Sequence, residues 1–121
     1  VVVSYNGVVL LAGQVPSEAL REEAAEVTQN VQRVRKVHNE LTVGGPISLV
    51  ARTNDSWITT KVKSRLIASS EAYGNKTKVV TENGVVYLMG LLTKEQAEIA
   101  VEEAAKSYGV QKIVKVFEYL D

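Results

Sequence analysis

The stretch "ENGVVYLMG", residues 82–90, repeats almost letter for letter as "YNGVVLLAG", residues 5–13. At an offset of 77 residues, Val3, Asn6, Gly7, Val8, Val9, Leu11, Gly13 and Glu18 match Val80, Asn83, Gly84, Val85, Val86, Leu88, Gly90 and Glu95. The match resumes at an offset of 79, where Val31, Gln32, Lys36, Val37 and Leu41 face Val110, Gln111, Lys115, Val116 and Leu120. This change predicts a two-residue indel near the end of a helix. Two copies are fewer than a solenoid needs, so they read as two small sister domains.

Each copy has the same local grammar. Asn6-Gly7 and Asn83-Gly84 are strong hairpin signals, because a type I′ turn needs positive φ at both central residues. The strands that follow reach Gly13 and Gly90. Each glycine is expected at a strand end where a Cβ would clash or force an unfavourable φ. Ser17, and Thr93 with Gln96 three residues on, are credible helix starts. Leu20, Ala24, Val27 and Val31 keep helical spacing in the first copy, as do Ala97, Ala100, Val101, Ala104 and Tyr108 in the second. The closing segments "RVRKVHNELTV" and "VQKIVKVFEYL" read as strands.

After the break at Gly44-Gly45-Pro46, "NDSWITTKVKSRLIASS" reads as a helix over 54–69, capped by Asn54 or Asp55. The fold class is therefore α+β: two tandem αββαβ units, each a three-stranded sheet with helices on one face. The boundaries fall at 1–43 for the first unit, 44–53 for a linker and 54–121 for the second. The opening "VVVSYNG" already reads as strand. The first unit is therefore expected to lack its opening helix and the chain to be a piece of a longer protein.

Val9, Leu11, Val86 and Leu88 should face the helices of their own units. The other sheet face carries Val8, Leu10 and Ala12 in one copy and Val85, Tyr87 and Met89 in the other, with Phe117 and Tyr119 expected to join them. A sheet with helices on one side should be polar on the other. Leu10 and Tyr87 are therefore expected to be buried between the two units.

The chain has 121 residues, 45% of them hydrophobic and 23% charged, in the range of a folded globular protein. It has no cysteine and one histidine, which leaves no disulfide, thiolate or metal constellation. No cofactor, small-molecule substrate or catalytic residue is expected. The carboxylates of both glutamate-rich helices read as solvated faces, and neither glycine sits in a phosphate-binding pattern. Basic residues are dispersed and aromatics few, which argues against nucleic acid.

The pattern V-x-x-x-x-G-x-V-x-L-x-G, a helix, then a V-x-x-V strand resembles the BON domain of bacterial envelope proteins. It stands here as "VSYNGVVLLAG" and "VTENGVVYLMG", closed by "VQRVRKVHNELTV", with Asn39 in its usual place, and "VQKIVKVFEYL". The tandem arrangement and "NDSWITTKVKSRL" resemble the dual-BON-domain lipoproteins of the Gram-negative outer membrane. The resemblance implies a periplasmic protein anchored to the outer membrane by a lipidated Cys upstream of this fragment. It also implies contact with anionic phospholipid and a non-catalytic role in envelope integrity.

The helix over 54–69 is the element that differs between the copies. Ile58, Val62 and Leu66 form its core stripe at about 100° per residue. Trp57 and Ile67 fall on the far side, with Thr60, Ser64 and Ala68 between them and Lys61 and Lys63 flanking. With Asp55 and Arg65 this helix carries +2, or +3 with Arg52. The helix after Ser17 carries −3, and the one after Thr93 carries −2 through Lys106. The chain's net charge is zero, yet its basic helix holds its sole Trp.

Three readings follow. Trp57, Lys61, Lys63, Ser64, Ile67 and Ala68 could form a face for an anionic phospholipid membrane. Trp57 could instead anchor an envelope protein partner or the missing helix. It could also fill a core gap between the units.

Overall fold

The computed structural model describes residues 1–45, 49–69 and 76–121. The chain divides into two compact units, Val1–Ser48 and Leu49–Asp121. The first contains β1 (Val2–Tyr5), β2 (Val8–Val15), α1 (Glu18–Gln29) and β3 (Lys36–Val43). The second contains α2 (Leu49–Ser69), β4 (Thr77–Glu82), β5 (Val85–Leu92), α3 (Lys94–Ala105) and β6 (Lys112–Tyr119). Each unit has one three-stranded sheet, ordered β1-β2-β3 or β4-β5-β6. The hairpin pair is antiparallel and the strand after the helix runs parallel to the central one.

Both turns take the expected left-handed backbone, with φ of 51° and 80° at Asn6 and Gly7 and of 52° and 80° at Asn83 and Gly84. The two helix starts also hold. Ser17 Oγ accepts the Leu20 N–H, and Thr93 closes a full capping box with Gln96.

The internal correspondence differs from the expected one. Gly7 O accepts from Arg35 N in one unit and Gly84 O from Gln111 N in the other. Val9 sits opposite Val37, and Val86 opposite Ile113. Arg33 and Gly109 share the left-handed backbone, at φ 75° and 94°. The second half of the repeat is therefore offset by 76 residues, not 79. Pro16, between β2 and the Ser17 cap, is the single additional residue. The offset of 79 paired letters correctly but backbone positions wrongly, because short runs of Val and Lys align in several registers.

In the second unit Ile58, Val62 and Leu66 of α2 are fully buried. They share one core with Val79, Val86, Leu88, Leu92, Phe117 and the alanines 97, 100 and 104 of α3. Burying each large side chain stabilises by about 2 kcal/mol. Phe117 lies in this helix-side core and not on the opposite face. It faces Gly90 across the ladder, where no side chain competes for the space. Tyr119, two residues on, contacts its ring with centroids 6.4 Å apart. Leu10 is fully buried and Tyr87 nearly so.

The expected stripe of α1 is not its inward face. Leu20, Val27 and Val31 are exposed and α1 has no buried residue. It is held by hydrogen bonds instead. Arg21 donates to the carbonyls of Leu41 and Asn39, and the Asn39 amide donates back to the Arg21 carbonyl. Beside it lies an open apolar groove of about 460 Å³ lined by Val2, Leu11, Val15, Leu20, Ala24 and Val27. In the second unit α2 packs against β4 and α3.

Helix α2 begins at Leu49, five residues before the expected start, so neither Asn54 nor Asp55 caps it. Residues 49–53 of the expected linker are helical, while Pro46 and the Ser69 side chain lie outside the described residues. Asp55 has a different task. It is buried, and its two carboxylate oxygens accept the backbone N–H groups of Asn83 and Gly84 at 2.6 and 2.8 Å. The helix is thereby bound to the β4–β5 turn. The apolar pattern alone could not separate a cap from this clasp, since both call for a short carboxylate.

Gly13 and Gly90 lie inside β2 and β5, two residues before the strand ends. Gly13 has φ 119°, a conformation side chains resist. Gly90 is required for space: a Cβ would stand 2.4 Å from the Lys76 carbonyl oxygen. We predict that Gly90→Val lowers stability by more than about 2 kcal/mol in a denaturant melt. Asp55→Ala should cost about 3 kcal/mol in the same assay, because the buried Gly84 N–H and the partly buried Asn83 N–H lose a charged acceptor. An unchanged midpoint for either variant contradicts its assignment.

Candidate functional site

Since Ile58, Val62 and Leu66 are committed to the core, the rotation of α2 is fixed and its other side faces solvent. Trp57 is 63% exposed and Ile67 45% exposed. Thr60, Lys63, Ser64 and Ala68 are exposed and Lys61 is half-buried. At about 100° per residue the outward arc runs Lys61, Ala68, Trp57, Ser64, Thr60, Ile67, Lys63. Two large apolar side chains thus stand inside the arc with a lysine at each edge. Trp57 and Ile67 are about 15 Å apart along the axis and about 80° apart around it. All six residues expected to form the site lie on one helix, and the structure brings them to one side of it. Trp57 takes no part in the core of its own unit.

The charges are distributed unevenly. Arg65 stands 3.9 Å from Glu103 of α3, and Asp55 is buried against backbone. Lys63 makes no ion pair among the described residues. Lys61 points toward the end of α3, where its Nζ donates to the Tyr108 carbonyl at 3.0 Å and lies 5.5 Å from the Tyr108 ring centroid.

Tyr108 was expected on the apolar stripe of α3, but it is 88% exposed in the turn after that helix. The helix ends at Ala105 with Lys106 as its cap, and Gly109 takes a positive φ, so the backbone turns away before Tyr108 can join the stripe. The Tyr-Gly pair was a legible signal, since a glycine just past a helix commonly marks its end.

Among the described residues no three His, Cys, Asp or Glu side chains could hold a metal ion, and no helix is long and apolar enough to cross a membrane. His38 lies half-buried on β3 between Lys36 and Glu40. Its pKa is lowered by burial and then by the Lys36 charge, with Glu40 opposing.

The comparisons agree with this architecture. The BON domain family matches residues 1–45 and 54–121. The chain is 45% identical over 98% of its length to "Outer membrane lipoprotein DolP" of Haemophilus influenzae, and covers 62% of that protein. It is 43% identical over 98% of its length to a "21 kDa hemolysin" of Actinobacillus pleuropneumoniae, covering 61% of it. It is also 33% identical over 89% of its length to "Osmotically-inducible protein Y" of Escherichia coli, covering 55% of that chain. The chain thus spans roughly three fifths of the first two relatives. With the family matched in both units and the repeat seen in the backbone, the chain belongs to the BON domain family.

Proposed function

We propose that this chain is the phospholipid-binding part of a non-enzymatic envelope protein at the inner face of the outer membrane. It meets anionic phospholipid through the outward face of α2 and supports outer-membrane integrity. A lipidated Cys upstream would hold it at that membrane, as the name of the Haemophilus relative supports.

The exposed Trp57 on a basic helix carries this reading. An indole is apolar apart from one N–H donor, so a bilayer interface suits it better than bulk water does. Ile67 supplies a second point of insertion. Lys61 and Lys63, at the edges of the arc, would each add about 1 kcal/mol from the surface potential of an anionic leaflet. The buried stripe on the other side keeps the helix folded whether or not lipid is present. The glutamate-rich α1 and α3 are poorly suited to such a surface.

Trp57→Glu should abolish co-sedimentation with phosphatidylglycerol vesicles while leaving the thermal melt unchanged, because this side chain takes no part in the core. Wild-type binding should weaken as salt rises, since at 0.1 M the field of exposed charges decays over about 10 Å. If the variant binds vesicles as well as wild type does, the lipid reading fails. The same exposed Trp would then serve a protein partner, where aromatic side chains commonly dominate affinity.

A further inference from the structure

We infer that the lipid-binding surface is built from two elements, with Tyr108 of the α3–β6 turn as a second aromatic anchor beside Trp57. The inference rests on the proposed lipid function and names a residue outside α2 that serves it.

Three observations converge on Tyr108. Its side chain is 88% exposed, the most exposed large side chain among the described hydrophobic residues. Its turn is fixed against α2: Gly109 lies close enough to Ile58 that a Cβ there would stand 3.4 Å from its side chain. Lys61 ties the two elements at the surface, donating to the Tyr108 carbonyl and lying over its ring. Lys61 and Trp57 are one helical turn apart on the same face, so Tyr108 stands beside the insertion point.

The chemistry suits an anionic headgroup. An ammonium group has three donors, and the Tyr108 carbonyl takes one. The others can meet a lipid phosphate, while the two aromatic side chains flank it at the depth where Trp and Tyr are enriched. The Lys61 ammonium is thereby held in place before lipid arrives. At the matching position of the first unit stands Gln32, a residue with no aromatic surface. The aromatic thus occurs in the unit that also carries the basic helix.

The test uses fluorescence depth quenching. Because Trp57 is the sole Trp, the double variant Trp57→Phe, Tyr108→Trp moves the only indole to the turn. The clip from Lys61 survives, since it uses a backbone carbonyl. With vesicles of phosphatidylglycerol brominated on its acyl chains, both wild type and this variant should be quenched. Tyr108→Ser should lower vesicle affinity about three- to tenfold, on the scale of one interfacial side chain, with an unchanged melt.

Quenching of Trp57 in wild type without quenching at position 108 overturns the inference, whatever Tyr108→Ser does to affinity, and leaves the α2 reading standing. If wild type itself neither sediments with the vesicles nor is quenched, the proposed function falls and this inference with it.

Discussion

Asp55 is a carboxylate inside a helix, buried, with both oxygens turned onto the two N–H groups of a β-turn. The rest of the second unit depends on that contact. The turn's donors meet the helix there, the Gly84 N–H buried and the Asn83 N–H partly so, and a buried donor left unpaired is costly. By meeting both, Asp55 fixes how α2 is turned and where it lies along the β4–β5 hairpin. Ile58, Val62 and Leu66 then point inward at intervals of four residues. Trp57 is left on the outside as a geometric consequence.

The comparison of the two copies shows two ways of holding a helix to the same sheet. In α3, small alanines at 97, 100 and 104 let the helix lie close to β5 and share a core with α2. In α1 the counterpart of Ala97 is Arg21, which reaches to the carbonyls of β3 through hydrogen bonds. The first arrangement needs a second helix to complete the apolar surface. The second leaves Leu20 and Val27 exposed beside an apolar groove. Duplication has kept the turns and the ladder register while the helix faces diverged.

Charge follows the same division. The acidic residues of α1 and α3 lie mostly on solvated faces, whereas α2 gathers basic residues around its exposed apolar pair. Net charge alone would describe this chain as neutral and featureless. Its segregation by element places basic residues on the outward side of α2, with Lys61 held at the end of α3 and Lys63 open to solvent.

Much of this was legible from the letters. The Asn-Gly turns, the Ser17 and Thr93 caps and the buried stripe of α2 are short-range features, governed by φ preferences, orphan N–H groups and helical period. Those constraints act within a few residues, so the sequence determines them directly. The exposed face of α2 followed from its buried one by the same periodicity. The true offset of the repeat, the inward side of α1 and the place of Phe117 were decided only in three dimensions. Each depends on register across a ladder or on which neighbour fills a space, and weakly distinctive runs of Val, Ala and Lys leave several answers open. Asp55 and Tyr108 make the same point most sharply. One looked like a cap and proved to be a clasp; the other looked like core and proved to be surface. In both cases the partner lies 28 or 47 residues away in sequence, beyond the reach of local pattern, and only the packing of α2 against the β4–β5 turn and the end of α3 brings the pairs together.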